Sequence, residues 1–195
     1  MNKNDLRYIK TEKTIKESFK KCVEKHGFEK VTVSMICKEG LISRNAFYLH
    51  FTDKYDLLDR LFDEFRASLL RNYDQNITES VAKNDVLTST KLYAEAILSI
   101  KDDFLFLIKC SRNKMELVIK EVIIDYPNKK IIPDYEELCK PIEIQLNIQY
   151  MFTAMVTYTE LWFKNFEKIS KEEAILKLYE LCKGPTTLFY NYIYK

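Results

Sequence analysis

Glycine and proline are scarce in this 195-residue chain, with three of one and four of the other. Turn-rich β architectures draw heavily on both, so the shortage favours helices. Histidine is scarcer still. With only His26 and His50, and no C-x-x-C or H-x-x-x-H spacing, no metal site is expected. The pattern also lacks a nucleophile–base pair, paired carboxylates in an apolar setting and a Gly-rich phosphate loop. These gaps argue against an enzyme and against a bound cofactor. The five cysteines, Cys22, Cys37, Cys110, Cys139 and Cys182, show no paired spacing. Their odd number, together with the lack of a signal peptide, points to the reducing cytoplasm and not to a disulfide framework. Cys22, Cys37 and Cys182 lie among apolar residues at helical spacing, where a free thiol acts as a small hydrophobe. Long apolar runs are absent too. The charge-free stretch Ile144–Thr159 is too short to cross a bilayer and contains Gln145, Asn147 and Gln149, so it reads as a buried helix with no membrane partner.

What is present is apolar surface, aromatic bulk and an uneven charge. Hydrophobic residues make up 47% of the chain and aromatics 13%, enough for a sizeable core. Residues 1–54 hold 12 Lys/Arg against 7 Asp/Glu, a net of +5, while the rest hold 19 against 22, a net of −3. A positive N-terminal part on a nearly neutral body suits a protein that presents only that part to nucleic acid. Ile15, Phe19, Cys22, Val23 and His26 share one face of a helix over residues 8–26. Thr32 is suited to cap a short helix through Val33 and Ile36. Gly40 and Leu41 interrupt it, and Ser43 is placed to cap a second short helix through Phe47, Tyr48 and Phe51. Two short helices joined by a tight turn are the sequence form of a helix-turn-helix. In that motif the first residues of the second helix reach base edges in the major groove. Here they are Arg44, Asn45 and Ala46. Behind them Tyr48, His50 and Lys54 are expected to contact phosphates, helped by Thr32, Ser34 and Ser43 at the helix starts. One aromatic of the Phe47–Tyr48 pair must face the core. Phe47 is assigned there, because the tyrosine hydroxyl is better used at a phosphate.

NAFYLHFTDKYDLL, from Asn45 to Leu58, resembles the signature of the tetracycline-repressor (TetR) family. That signature has a Phe-Tyr pair, an aromatic one turn on, and a lysine before a Leu-rich helix. Upstream, His26-Gly27-Phe28, Val31-Thr32-Val33 and Ile42-Ser43 agree with it. One departure stands out. The family usually has Gly just before the aliphatic residue at Ile42; this chain has Leu41 there and Gly40 one step early. A turn residue with positive φ suits Gly and strains Leu. The resemblance implies an all-α chain in which a three-helix DNA-binding unit precedes a helical domain for effector binding and dimerisation. It also implies pairing of the last two long helices with those of a second copy in a four-helix bundle.

The remaining sequence fits that outline. Asp53 and Asp56 mark the start of a long helix striped by Leu57, Leu58, Leu61, Phe62, Phe65 and Leu69 and reaching Tyr73. Asn76–Asp85 reads as a loop, Leu87–Ile100 as a helix, FLFLIKC as a dense apolar helix, and Met115–Ile124 as another. Pro127, Pro133 and Pro141 break the segment between residues 126 and 141. A helix from Pro141 to Lys168 is apolar nearly all round, with Ile142, Leu146, Tyr150, Phe152, Met155, Tyr158, Trp162 and Phe166. Such a helix is buried on two sides. Ser170 and Glu173 form a capping box for the last helix, in which Gly184-Pro185 is expected to kink or interrupt. Phe62, Phe65, Tyr93, Phe104, Tyr158 and Trp162 are candidate pocket residues, although aromatics at this spacing also serve as plain core. The division expected is 1–56 for DNA binding and 57–195 for effector binding and dimerisation. The function expected is a ligand-released homodimeric repressor on a palindromic operator, with a helical module that ignores DNA as the alternative.

Overall fold

The computed structural model describes residues 6–193, and among them every regular element is helical. The chain forms two compact units. The first runs to Glu64 and takes in Phe106–Arg112; the second comprises Phe65–Leu105 and Asn113 onward.

In the first unit, α1 (Leu6–His26) buries Tyr8, Ile15, Phe19, Cys22 and Val23. His26, expected on that face, is exposed at the helix end. Gly27 stops the helix with φ +75°, and its N–H donates to the Val23 carbonyl. A left-handed residue is the usual device for ending a helix, and glycine adopts it without a Cβ clash. A single 3₁₀ turn, Phe28–Lys30, leads to α2 (Val33–Glu39) and α3 (Arg44–Tyr48). Each of these short helices has the cap foreseen for it. Thr32 Oγ1 accepts from Met35 N at 3.3 Å, and Ser43 Oγ from Ala46 N at 3.0 Å. Helix α4 (Lys54–Ala82) opens on a reciprocal pair of caps. Asp53 Oδ1 accepts from the Tyr55 and Asp56 N–H groups, and Asp56 Oδ2 accepts from Thr52 N. Ile15, Phe19, Ile36, Phe47, Phe51, Leu57 and Phe62 are buried and make the core of this unit.

Helix α4 is nine residues longer than its apolar stripe suggests. It runs through the polar stretch read as a loop, and only Lys83–Asp85 turns. The second unit continues with α5 (Val86–Leu98), the first half of α6 (Lys101–Cys110), whose second half belongs to the first unit, and α7 (Arg112–Lys120) from Asn113 onward. The proline-rich segment is more ordered than its prolines imply. A π turn at Glu121–Asp125 runs into α8 (Tyr126–Ile131), where Pro127 sits in the first turn and its missing N–H costs nothing. A short α9 (Tyr135–Leu138) follows. Helix α10 (Ile142–Lys164) and α11 (Lys171–Ile193) complete the unit. The Ser170–Glu173 capping box forms as expected, Ser170 N donating to Glu173 Oε2 and Glu173 N to Ser170 Oγ. Pro185 lies inside α11 without interrupting it, and its carbonyl accepts from Asn147 Nδ2 at 2.7 Å.

Candidate functional site

The turn between α2 and α3 decides how α3 is presented. Gly40 has an ordinary φ of −88°, so backbone freedom is not its role. A Cβ there would lie 2.6 Å from Ser18 Oγ and 3.3 Å from Thr14 Cγ2, so Gly40 permits the close approach of α2 to α1. The left-handed step falls on Leu41 instead, with φ +50° and a side chain 94% exposed. Leucine in this region is strained by roughly 1–2 kcal/mol, and it gains nothing from burial in return.

Helix α3 then divides its residues cleanly. Phe47 is fully buried against Phe51, while Tyr48 is exposed beside it, as assigned from the sequence. Arg44 and Asn45 are exposed at the N-terminus, Ala46 is half-buried, and Thr32, Ser34 and Ser43 are exposed at or near the two helix starts. The Arg44 guanidinium reaches the Tyr48 hydroxyl at 3.5 Å, one turn along the same helix. The first turn of α3 therefore offers a fork of donors, an amide and a small residue on one short exposed edge. That set can hydrogen-bond base edges.

Two expected phosphate contacts are placed differently. His50 is only 4% exposed, stacked on Tyr8 with ring centroids 3.8 Å apart. Its Nδ1 is buried without a hydrogen-bond partner, 3.9 Å from Glu12 Oε2. Burial holds its pKa below the usual 6.5, against the pull of Glu12 and with the help of Arg60 and Lys16. Its ring packs as part of the core and is not laid open on the surface as Tyr48 is. Lys54 is half-buried. Its ammonium donates to the Phe28 and Glu29 carbonyls, both at 3.0 Å, and lies over the Phe28 ring. It ties the 3₁₀ turn to the start of α4, leaving one of its three N–H groups for a phosphate.

The second unit contains a cavity of about 80 Å³, room for several waters or one small organic molecule. Its walls come from the end of α4, the start of α5, the π turn, α8, α10 and α11. Of the six candidate pocket residues only Tyr93 lines it, with its hydroxyl 2.8 Å from Thr159 Oγ1. Phe62, Phe65, Phe104 and Trp162 are core, and half-buried Tyr158 lies outside the lining. Met155, one of the apolar residues expected around the helix from Pro141, is 4% exposed and lines the cavity. Periodicity misses Ser80, Val81, Asn128 and Tyr190 as lining residues. The first two follow the point where the apolar stripe of α4 fades, and Asn128 lies in the segment its prolines mark as broken. The signal that finds Val81 is the four-residue step from Tyr73, through position 77.

Polar atoms in this wall are mostly engaged with one another. Ser80 and Ser89 hydroxyls lie 2.9 Å apart, and Asn128 Nδ2 donates to the Ile124 carbonyl at 2.7 Å. The Tyr190 hydroxyl is within donating distance of Val81 O and Asn128 Oδ1. Tyr73 is 1% exposed, and its hydroxyl has no hydrogen-bond partner among the described residues. No group of acidic, histidine and cysteine side chains that could hold a metal ion occurs among the described residues. No helix there is long and apolar enough to cross a membrane.

Residues 20–61, which span the end of α1, both short helices and the start of α4, match the family model described as bacterial regulatory proteins, tetR family. This N-terminal segment is of the tetR family. Among solved structures it is similar to the fatty acid degradation regulator FadR from Bacillus halodurans, at 20% identity and a TM-score of 0.53, covering 92% of this chain and 94% of that one. At that identity the likeness carries the fold alone. A second, the dihydroxyacetone kinase operon activator DhaS, shares 20% identity with a TM-score of 0.37 over 95% of this chain and 97% of that one. No curated protein matches the chain in sequence.

Proposed function

We propose that this tetR-family DNA-binding regulator is a homodimeric repressor that grips a palindromic operator and is released by a small molecule. The observation that carries the DNA half is the Ser43-capped start of α3, with Arg44 and Asn45 exposed and Phe47 anchoring the helix from behind. In this reading Arg44 takes a guanine edge and Asn45 an adenine edge, Ala46 clears space for the groove, and Thr32, Ser34, Ser43, Tyr48 and the free N–H of Lys54 hold phosphates.

Dimerisation is supported by the outer face of the last two helices. Ile142, Leu146 and Tyr150 step along α10 every four residues at 60, 62 and 61% exposure. Leu188 and Tyr192 do the same on α11. A clustered apolar face of this kind is a protein–protein surface. A second copy, which the C2 symmetry of a palindrome requires, is the occupant we assign to it.

Release is supported by helix α4, which carries Lys54 in its first turn and cavity-wall residues Ser80 and Val81 near its end. A ligand seated against Ser80 and Val81 acts on the same rod that holds the DNA-reading unit. Changing the spacing of two such units away from one turn of DNA, about 34–36 Å, breaks simultaneous binding. For a 100-fold release the ligand must prefer the unbound form by about 2.7 kcal/mol, and DNA must weaken ligand binding by the same factor.

The test is selection from a random duplex library followed by titration of the winner against salt. An inverted repeat, bound with a steeply salt-dependent affinity by a dimer, is the expected result. Selection of no sequence, or of an asymmetric single site bound by a monomer, would reject it.

A further inference from the structure

The cavity of the second unit has a chemical signature narrower than its size. Its apolar walls include Val86, Ile124, Ile148, Met151 and Phe189. None of the residues lining it is Lys, Arg or His, and residues 74–78 contain none either. The positive end of a helix dipole is the other common anchor for an anion. The nearest one, the N-terminus of α5, already has its acid. Asp85 accepts from Thr88 N at 3.0 Å and from Thr88 Oγ1 at 2.7 Å. Among the described residues Asp85 is the only charged one lining the cavity, and these two bonds fix its carboxylate as the cap of α5. A carboxylate or phosphate entering would lose its water and find an acid in place of a partner. Asp85 keeps lone pairs for an ammonium, but it is exposed, so an ammonium paired with it stays in water and not among the apolar walls.

Besides the exposed side chain of Asn84, what the cavity offers is the hydroxyl of buried Tyr73, amid hydroxyls and amides already bonded. We infer that the cavity selects a small uncharged molecule with an apolar body and a single hydroxyl-sized polar group held by Tyr73, and that it rejects carboxylates. This inference rests on the reading of the cavity as the effector site. It goes further by fixing the charge of the effector, which no family likeness supplies.

Calorimetric titration of the full chain at pH 7.5 with 4-ethylphenol, 4-ethylbenzoate and 4-ethylbenzylamine tests it, since the three differ chiefly in charge. The phenol is expected to saturate, with the benzoate and the ammonium at least tenfold weaker. Benzoate binding should strengthen by about tenfold per unit as the pH is lowered, because only the neutral acid enters. Tyr73→Phe should weaken the phenol severalfold, and Met151→Trp, which fills the cavity from its wall, should abolish it. Benzoate or ammonium binding as tightly as the phenol at pH 7.5 overturns the inference, as does a failure of all three to bind. Phenol binding that survives Met151→Trp unchanged places the site elsewhere and overturns it too. The repressor reading fails separately. If the phenol fills the cavity but leaves protein on its selected duplex, ligand release is wrong and the charge selectivity stands. If benzoate alone releases the duplex, the charge selectivity is wrong and ligand release stands.

Discussion

The two units handle polar groups in opposite ways. In the first, the chemistry is outside: Arg44, Asn45, Ser43, Ser34 and Tyr48 are exposed around a core whose buried polar residues are few. In the second, hydroxyls and amides are folded inward around a cavity, and the exposed faces of α10 and α11 are partly apolar. A charged polymer stays in water and is met by side chains that stay there too, where each contact contributes little and many are needed. A small molecule removed from water must find its partners already built into the wall. On the function proposed above, one unit meets a ligand of high charge and the other a ligand of none, so substitutions should have opposite signatures in the two units.

The largest effect is expected at the apolar outer face of the second unit. Tyr150→Asp sets a charge on a residue 61% exposed, so the fold should survive while the dimer separates. Operator affinity should then fall by two orders of magnitude or more, since a monomer holds only one half-site. Met155→Asp, five residues along the same helix, should fail differently. Met155 is buried, and an uncompensated charge there should unfold the unit. Light scattering and thermal unfolding separate the two. A dimeric Tyr150→Asp protein would put the interface elsewhere.

Next in size comes Arg44→Ala in the first unit. Loss of a bidentate base contact should cost about 1–3 kcal/mol per half-site and relax specificity at one base position. Thermal stability should hardly move, because the side chain is exposed and its neighbour Tyr48 keeps its place on the helix. Full affinity with unchanged base preference would remove α3 from the groove.

The same contrast explains what can be read from sequence. Caps, turn residues and the Phe47–Tyr48 split are legible because the first unit is made of short helices whose ends are set by local side-chain to backbone bonds: Thr32 to Met35, Ser43 to Ala46, Asp53 to Asp56. His50 is not, because an exposed and a buried histidine look alike in sequence; only the Tyr8 ring packed on it reveals the difference. In the second unit, helices are legible and the cavity is not. A cavity is the space between separated segments, and its polar lining weakens the very apolar stripe by which helices are found. For that reason the stripe of α4 stops at Tyr73, before Ser80 and Val81.

A smaller effect, and one with two signs, belongs to the turn. Gly40→Ala forces a Cβ to within 2.6 Å of Ser18 Oγ and should destabilise the first unit by about 1–3 kcal/mol. Leu41→Gly removes the strain of φ +50° and an exposed apolar side chain, and should stabilise by up to about 1 kcal/mol once the extra freedom of glycine in the unfolded chain is counted. Denaturant midpoints of the two variants should therefore move in opposite directions. Both moving down would mean that the leucine side chain has a partner this fold does not reveal.

The smallest expected effect concerns His50, whose Nδ1 is the buried side-chain atom of the first unit without a hydrogen-bond partner among the described residues. His50 is held below its usual pKa of 6.5 first by burial and then by Arg60 and Lys16, with Glu12 opposing. In the folded chain it stays neutral at a pH where the unfolded chain has begun to take up a proton. The unfolded state then binds more protons, so stability falls as the pH drops below about 6.5 and levels off once the folded chain is protonated as well. Glu12 and Glu79, whose pKa values lie below the usual 4.5, add their own losses only at lower pH. The window between about 6.5 and 5 therefore belongs chiefly to His50. Unfolding midpoints measured across it should decline for the natural chain and stay nearly level for His50→Gln. The variant should start lower because it gives up the stacking on Tyr8. A decline of equal slope in both proteins would show that the buried imidazole is not the group that titrates, and the two units would then differ less in their tolerance of charge than their cores suggest.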